Sequence, residues 1–281
     1  MTPIIQQAVW RISILTLVLY PNGIYADPDS TTIESAFDYL KVAQAGLKHF
    51  DDFLAHATAV PDSDEIEIGR HIARRVDDDY HLVEDLRKRR VQRIGEKLVP
   101  FVARKGIPYT FKVVESEAIN AFAVAGGNVW VTTGMLDLAE DDSELAGVLG
   151  HELGHVDARH CIRAIQHQLW MSRISAEYSD YVRMGYSVYK LGYSQLNELE
   201  ADTLGVQVMY KAGYDPRLMI GFLSRLENIE EGSTTSSGPS GSVQQTIARV
   251  EDFLRTHPPS KARKETLKEY IETHFMREYR E

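Results

Sequence analysis

The residues best placed to do chemistry are His151-Glu152-Leu153-Gly154-His155, an H-E-x-x-H pattern. Histidines at i and i+4 project from one face of a helix, so two imidazoles can converge on one tetrahedral zinc ion. Glu152 stands about 100° around the helix from His151. Its carboxylate can reach a water on the metal without being a ligand. A catalytic zinc needs a third protein ligand and one open position. His160 lies five residues after His155, about 140° around a continuing helix, and is expected to face away. The H-E-x-x-H-x-x-G-x-x-H spacing also fails, because Val156-Asp157-Ala158-Arg159 supplies no glycine. Cys161 reads as a small buried thiol. Glu198 opens Glu198-Leu199-Glu200-Ala201-Asp202 on the next clear helix and completes a His₂Glu set. Asp202, one turn on, is placed to accept the free N–H of a ligand histidine. Alone, these three acids would read as a solvated helix face; beside H-E-x-x-H the ligand reading is preferred.

These side chains need elements to hold them. Asp141 with Glu144 caps a helix running to about His160, anchored by Leu145, Val148 and Leu149. Before it, Tyr109–Val114 alternates like a strand, and Ala121–Ala125 and Val129–Thr132 flank the turn Gly126-Gly127-Asn128. Glu198–Ala212 reads as a helix ended by Gly213, with Pro216 beyond. Upstream, helices are expected from Thr31, from Asp62 with Glu65, and over Leu82–Val102, where Arg87-Lys88-Arg89-Arg90 reads as a solvated face. Tyrosines 178, 181, 186, 189 and 193 share a helical face that suits core packing, or else a lid over the cleft. Residues 232–243 read as a flexible loop, and the tail from Gln244 as helix. The expected fold is α+β, mostly helical, with a small antiparallel sheet whose edge strand faces the zinc-binding helix.

Composition narrows the partners. There are 31 basic and 41 acidic residues, a net charge of −10. A chain this acidic repels nucleic acid and anionic lipid, so nucleic acid is not expected as a partner. The single cysteine excludes an intramolecular disulfide and a thiolate metal cluster. Residues 1–26 read as a secretory signal. Arg11 precedes the apolar run Ile12–Tyr20, Pro21-Asn22-Gly23 breaks it, and Ala26 suits cleavage. The run is short of the ~20 residues that span a bilayer. No cysteine stands there to take a lipid. The remaining residues, 27–281, are expected to form a single domain.

The sequence resembles the BepA-like and HtpX-like zinc metallopeptidases, which are gluzincin in type and related to the CAAX prenyl protease. The likeness covers about residues 62–265. It rests on Glu67-Ile68-Gly69, Asn120-Ala121-Phe122-Ala123 before Gly126-Gly127, His151–His155, Glu198–Asp202, Ala212-Gly213-Tyr214-Asp215-Pro216, and Thr256-His257-Pro258-Pro259 followed by Arg263. The resemblance implies one zinc per chain, Glu198 rather than Glu200 as ligand, and a periplasmic or membrane-linked protease of protein quality control. Gln195 stands where the family usually has arginine. The helical-repeat domain that follows the BepA-like peptidase is not expected here.

With that family in mind, Glu152 is expected to act as general base. His257 and Arg263 are candidate oxyanion donors, since matching family positions act near the metal. His257 has a second role open to it, as a latch in the fourth zinc position; the latch is expected to dominate at rest. Substrate is expected to lie along Asn120, Ala121, Phe122 and Ala123 as an added strand. Such binding suits unfolded or outer-membrane and other envelope polypeptides, and peripheral membrane association is compatible with it. The alternative function is a chaperone or adaptor for unfolded envelope proteins with little or latent proteolysis.

Overall fold

The computed structural model describes residues 60–172, 178–230, 243–257 and 261–275. All of them belong to one compact unit, Asp51–Glu281. The expected signal, the helix from Thr31 and the loop up to residue 242 lie outside the described residues; Val243 already belongs to a helix.

The fold is α+β and mostly helical. Helices α1 (Asp62–Asp79) and α2 (Leu86–Leu98) precede strand β1 (Thr110–Val114). Strands β2 (Ala121–Val124) and β3 (Asn128–Thr132) follow, then the short α3 (Thr133–Leu138) and α4 (Asp142–Asp157). The remainder is helical: α5 (His160–Ser172), α6 (Tyr178–Leu191), α7 (Gln195–Lys211), α8 (Arg217–Glu230), α9 (Val243–Thr256) and α10 (Lys261–His274).

The sheet order is β1-β3-β2. β2 and β3 form the expected antiparallel hairpin, with Gly126 and Gly127 at φ 73° and 82° in the turn. A side chain at either would strain that left-handed backbone. β1 joins on the far side of β3 and runs parallel to it, so the sheet is mixed rather than wholly antiparallel. Alternation and turn residues show that a strand exists; they do not say which edge it joins.

Asp141 caps α4 as its spacing predicts, accepting hydrogen bonds from the Ser143 and Glu144 amides at 2.8 and 2.9 Å. The capping expected of Asp62 does not occur, because Pro61 is the N-cap and Asp62 and Glu65 instead bind Arg104. Every residue of α4 from Glu144 to Val156 is buried. A helix covered on all sides is a central helix. Arg90 and Arg93 of α2 clasp Asp142 at its start, so the basic run of α2 is only partly a solvated face. α4 packs against α7 along a seam of small residues, Gly150 on Gly205 and Gly154 on Ala201.

Candidate metal centre

The α4–α7 seam brings the ligand-bearing turns together. α4 carries His151, Glu152 and His155; α7 carries Glu198 and Asp202; His257 follows α9, and Arg263 sits in the first turn of α10. All seven are buried. One ligand atom from each of His151, His155, Glu198 and His257 can be chosen so that all lie within 4.8 Å of one another. The Nε2 atoms of His151 and His155 are 3.0 Å apart. Glu198 faces them with Oε2 at 3.4 Å and Oε1 at 3.3 Å. His257 Nδ1 is 3.2 Å from each Glu198 oxygen and 3.2 Å from His151 Nε2.

The donor set fits a divalent cation. His151 Nδ1 is engaged by Asp202 Oδ1 at 2.8 Å, and His155 Nδ1 by His160. With their protons on those Nδ1 atoms, both histidines turn Nε2 lone pairs toward each other and toward Glu198. Lone pairs so close need a positive centre between them. Charge agrees: three buried carboxylates, Glu152, Glu198 and Asp202, face the single arginine Arg263. That leaves two negative charges, which one divalent cation would balance.

Protonation follows the same contacts. Burial favours neutral His151, but Asp202 and Glu198 outweigh it and raise its pKa to about 10. A proton on Nε2 and a metal there are therefore alternatives. Burial holds His155 well below an ordinary imidazole despite Glu198. Burial would raise Glu198, yet His257 and His155 hold it well below the usual carboxylate range. Asp202 is likewise lowered, with His151 and Arg263 overcoming burial. Glu152 moves the other way, because burial raises it and the charges around it offset this only in part. Neither of its oxygens has a hydrogen-bond partner. A buried carboxylate with unused lone pairs beside residues that could hold a metal is equipped to take a proton.

One sequence expectation gains a second contact set and another changes. Arg263 lines the cavity beside Glu152 and is also tied to the carboxylates behind it. Its Nη1 lies 2.9 Å from Glu198 Oε2, while Nε and Nη2 donate to Asp202 at 2.7 and 2.8 Å. It is drawn to the two buried carboxylates, which need a cation. His160 does not face away. Its Nδ1 is 2.8 Å from His155 Nδ1. The 140° argument assumes a continuing helix, but α4 ends at Asp157 and Arg159 takes φ 61° before α5 begins. Cys161 is buried and free, as expected.

Asn120, Ala121, Phe122 and Ala123 do lie on the edge of the sheet beside α4. Ala121, Phe122 and Ala123 are buried in this state, and α6 packs against β2. Tyr181 and Tyr186 of α6 pack on the core cluster containing Phe122 and Trp130, as the core-packing reading expects. The side chains of Tyr178 and Tyr189 lie outside the described residues. Tyr193 packs on the same cluster and also stacks on His155, ring centroids 4.3 Å apart. Beside Glu152 a cavity of about 10 Å³ is walled by Met219, Phe222, Leu223 and Phe253. That is room for a water, not for a side chain.

The model of peptidase family M48 matches residues 85–271. Among curated proteins, the beta-barrel assembly-enhancing protease of Escherichia coli is 28% identical over 71% of this chain and 42% of its own length. The mitochondrial metalloendopeptidase OMA1 of Arabidopsis thaliana is 30% identical over 58% of this chain and 32% of its own. The metalloprotease YcaL of Escherichia coli is 28% identical over 59% and 63%. The chain thus spans less than half the length of the first two relatives.

Proposed function

The chain belongs to peptidase family M48, and on that premise we propose that it is a zinc-dependent endopeptidase acting on unfolded or misassembled envelope proteins. The observation that carries this reading is the buried set His151, His155 and Glu198 with the Glu152 carboxylate alongside, 3.6 Å from His257 Nε2. Zinc bound there would polarise a carbonyl and lower the pKa of a bound water to about 7. His151, His155 and Glu198 would hold the ion, with Asp202 and Arg263 fixing those ligands from behind. Glu152 is placed to accept a proton on a carboxylate oxygen and return it to the leaving amine. β2 offers backbone groups to an extended chain, a mode that tolerates many sequences.

His257 makes the described state a resting one. Its Nδ1 lies within reach of the His151, His155 and Glu198 ligand atoms and would compete with water for a metal held there. β2 is covered, the cavity beside Glu152 is water-sized, and a Cβ at Gly192, after α6, would lie 2.5 Å from the Thr256 carbonyl oxygen. Helix α6 and the His257 segment are therefore in contact, and substrate entry requires them to withdraw. This closure also favours a second reading, a holder of unfolded envelope proteins that cleaves rarely.

The apolar run before Ala26 supports a secreted, periplasmic location, and the relatives named for beta-barrel assembly support envelope substrates. Among the described residues no helix is long and apolar enough to cross a membrane. Metal analysis with casein or a misfolded envelope protein as substrate, with and without chelator, tests the proposal. One zinc per chain and chelator-sensitive cleavage restored by zinc are expected. Binding of unfolded protein with no chelator-sensitive cleavage would favour the holder.

A further inference from the structure

His160 and Glu200 play no part in the mechanism above, yet they stand in line behind one of its ligands. His155 Nδ1 is 2.8 Å from His160 Nδ1, and His160 Nε2 is 3.3 Å from Glu200 Oε2. We infer that His160 and Glu200 form a positioning relay for His155, which fixes its tautomer and tightens its hold on the metal.

The chemistry allows one arrangement. A histidine that offers Nε2 to the cluster carries its proton on Nδ1. His155 then donates to His160 Nδ1, which must be the accepting nitrogen. The His160 proton therefore sits on Nε2 and points at the Glu200 carboxylate. Both hydrogen bonds run outward, and each makes the ring before it a better electron donor. His151 reaches a carboxylate directly, through Asp202. His155 reaches one through a second imidazole. All three acids of Glu198-Leu199-Glu200-Ala201-Asp202 then serve the centre: one as ligand, two behind the histidines.

The backbone is bent to make this contact. Arg159 is the only non-glycine residue with positive φ among the described residues. A left-handed backbone is disfavoured for any residue with a Cβ and has to be held. Arg159 is held there by Glu65 at 2.8 Å and by the Val60 carbonyl, to which it donates. The turn ends α4 and swings His160 back over His155. Tyr193 lies against both rings, at centroid distances of 4.3 and 5.7 Å. His160 is fully buried, while the Glu200 side chain is 40% exposed.

This inference rests on the zinc reading of the centre. The test is zinc affinity, by chelator competition at fixed neutral pH, of the full chain and of His160→Ala, Glu200→Ala, the double variant and His160→Gln. His160→Ala should lose about 10–100-fold in affinity, the range for such partners of ligands. Glu200→Ala should lose less. The double variant should be no weaker than His160→Ala, since Glu200 acts through His160. His160→Gln can accept from His155 through its carbonyl and should recover much of the loss. Wild-type affinity in His160→Ala, or losses that multiply in the double variant, would overturn the relay. If His160→Ala does not fold, Glu200→Ala and His160→Gln decide: zinc affinity unchanged in Glu200→Ala overturns the relay. A wild-type chain that takes up no zinc overturns the proposed function and the relay together, so the two failures are distinct.

Discussion

Gly205→Ala is expected to loosen the fold and the metal centre together. Gly205 on α7 crosses Gly150 on α4, one residue before the ligand His151. A Cβ on Gly205 would lie 2.8 Å from the Gly150 carbonyl carbon and 2.8 Å from the His151 amide nitrogen. Ordinary contact begins at 3.4 Å, so the helices must part by about 0.6 Å, the difference of the two. Both obstacles are backbone, and neither can swing aside. Metal–ligand distances hold to about ±0.2 Å, so the parting exceeds what a formed site absorbs. Overpacking costs about 1–3 kcal/mol, and the helix preference of alanine returns up to ~1 kcal/mol. A net loss of up to about 2 kcal/mol in urea unfolding of the metal-free protein follows, with at least ~10-fold weaker zinc binding. Gly221→Ala is the control. Gly221 lies inside α8 with nothing within 4 Å of its Cβ, so the substitution should gain up to ~1 kcal/mol and leave zinc affinity alone. If Gly205→Ala is as stable as Gly221→Ala and binds zinc as tightly as wild type, the close-contact argument fails.

Glu152→Gln should keep its zinc and lose about 10²–10⁴-fold in peptide hydrolysis; cleavage at the wild-type rate would exclude Glu152 as the base. Glu198→Ala should lose far more zinc on dialysis than Glu200→Ala, and the reverse order would reassign the ligand. His257→Ala should raise basal self-cleavage and casein cleavage; a fall in both would sink the latch in favour of an oxyanion donor. Glu198 and Asp202 titrate below their ordinary values of 4.5 and 3.8 in the folded protein. The stabilisation they confer on the metal-free protein is present above those values and is lost as pH falls through the lower folded ones. Asp202→Asn should accordingly flatten the acid limb of urea midpoint against pH, and an unchanged limb would show that Asp202 does not contribute to it.

What the sequence reveals is what local periodicity and side-chain chemistry decide. His151, His155 and Glu152 follow from the helical repeat, Glu198 and Asp202 from one further turn, and the cap at Asp141 from a side chain meeting amides two and three residues on. The side on which β1 joins β3 is a long-range choice, and no residue of β1 encodes it alone. The partners of Arg263 are long-range for the same reason: only the assembled core shows two buried carboxylates, Glu198 and Asp202, meeting it. The small-residue seam left a trace, Gly150 and Gly154 one turn apart facing Ala201 and Gly205 one turn apart. That trace has meaning only once the two helices are known to cross.

His160 marks where helical arithmetic stops serving. Counting 100° per residue from His155 assumes that every intervening residue is right-handed, and Arg159 is not. Nothing in Val156-Asp157-Ala158-Arg159 announces this, since arginine has no intrinsic preference for positive φ. The cause lies elsewhere in the chain. Glu65, 1% exposed on α1, needs cations, and Arg104 and Arg159 both turn to it. That demand holds Arg159 in place, the held turn ends α4, and the ended helix lets His160 double back onto His155. A buried acid about ninety residues upstream in the sequence thus shapes the surroundings of the metal centre. Glu65→Gln should weaken the grip on Arg159 and, through it, zinc affinity, by less than His160→Ala does. If Glu65→Gln lowers stability but leaves zinc affinity at the wild-type value, the turn at Arg159 is set by the local backbone and not by the acid beneath it.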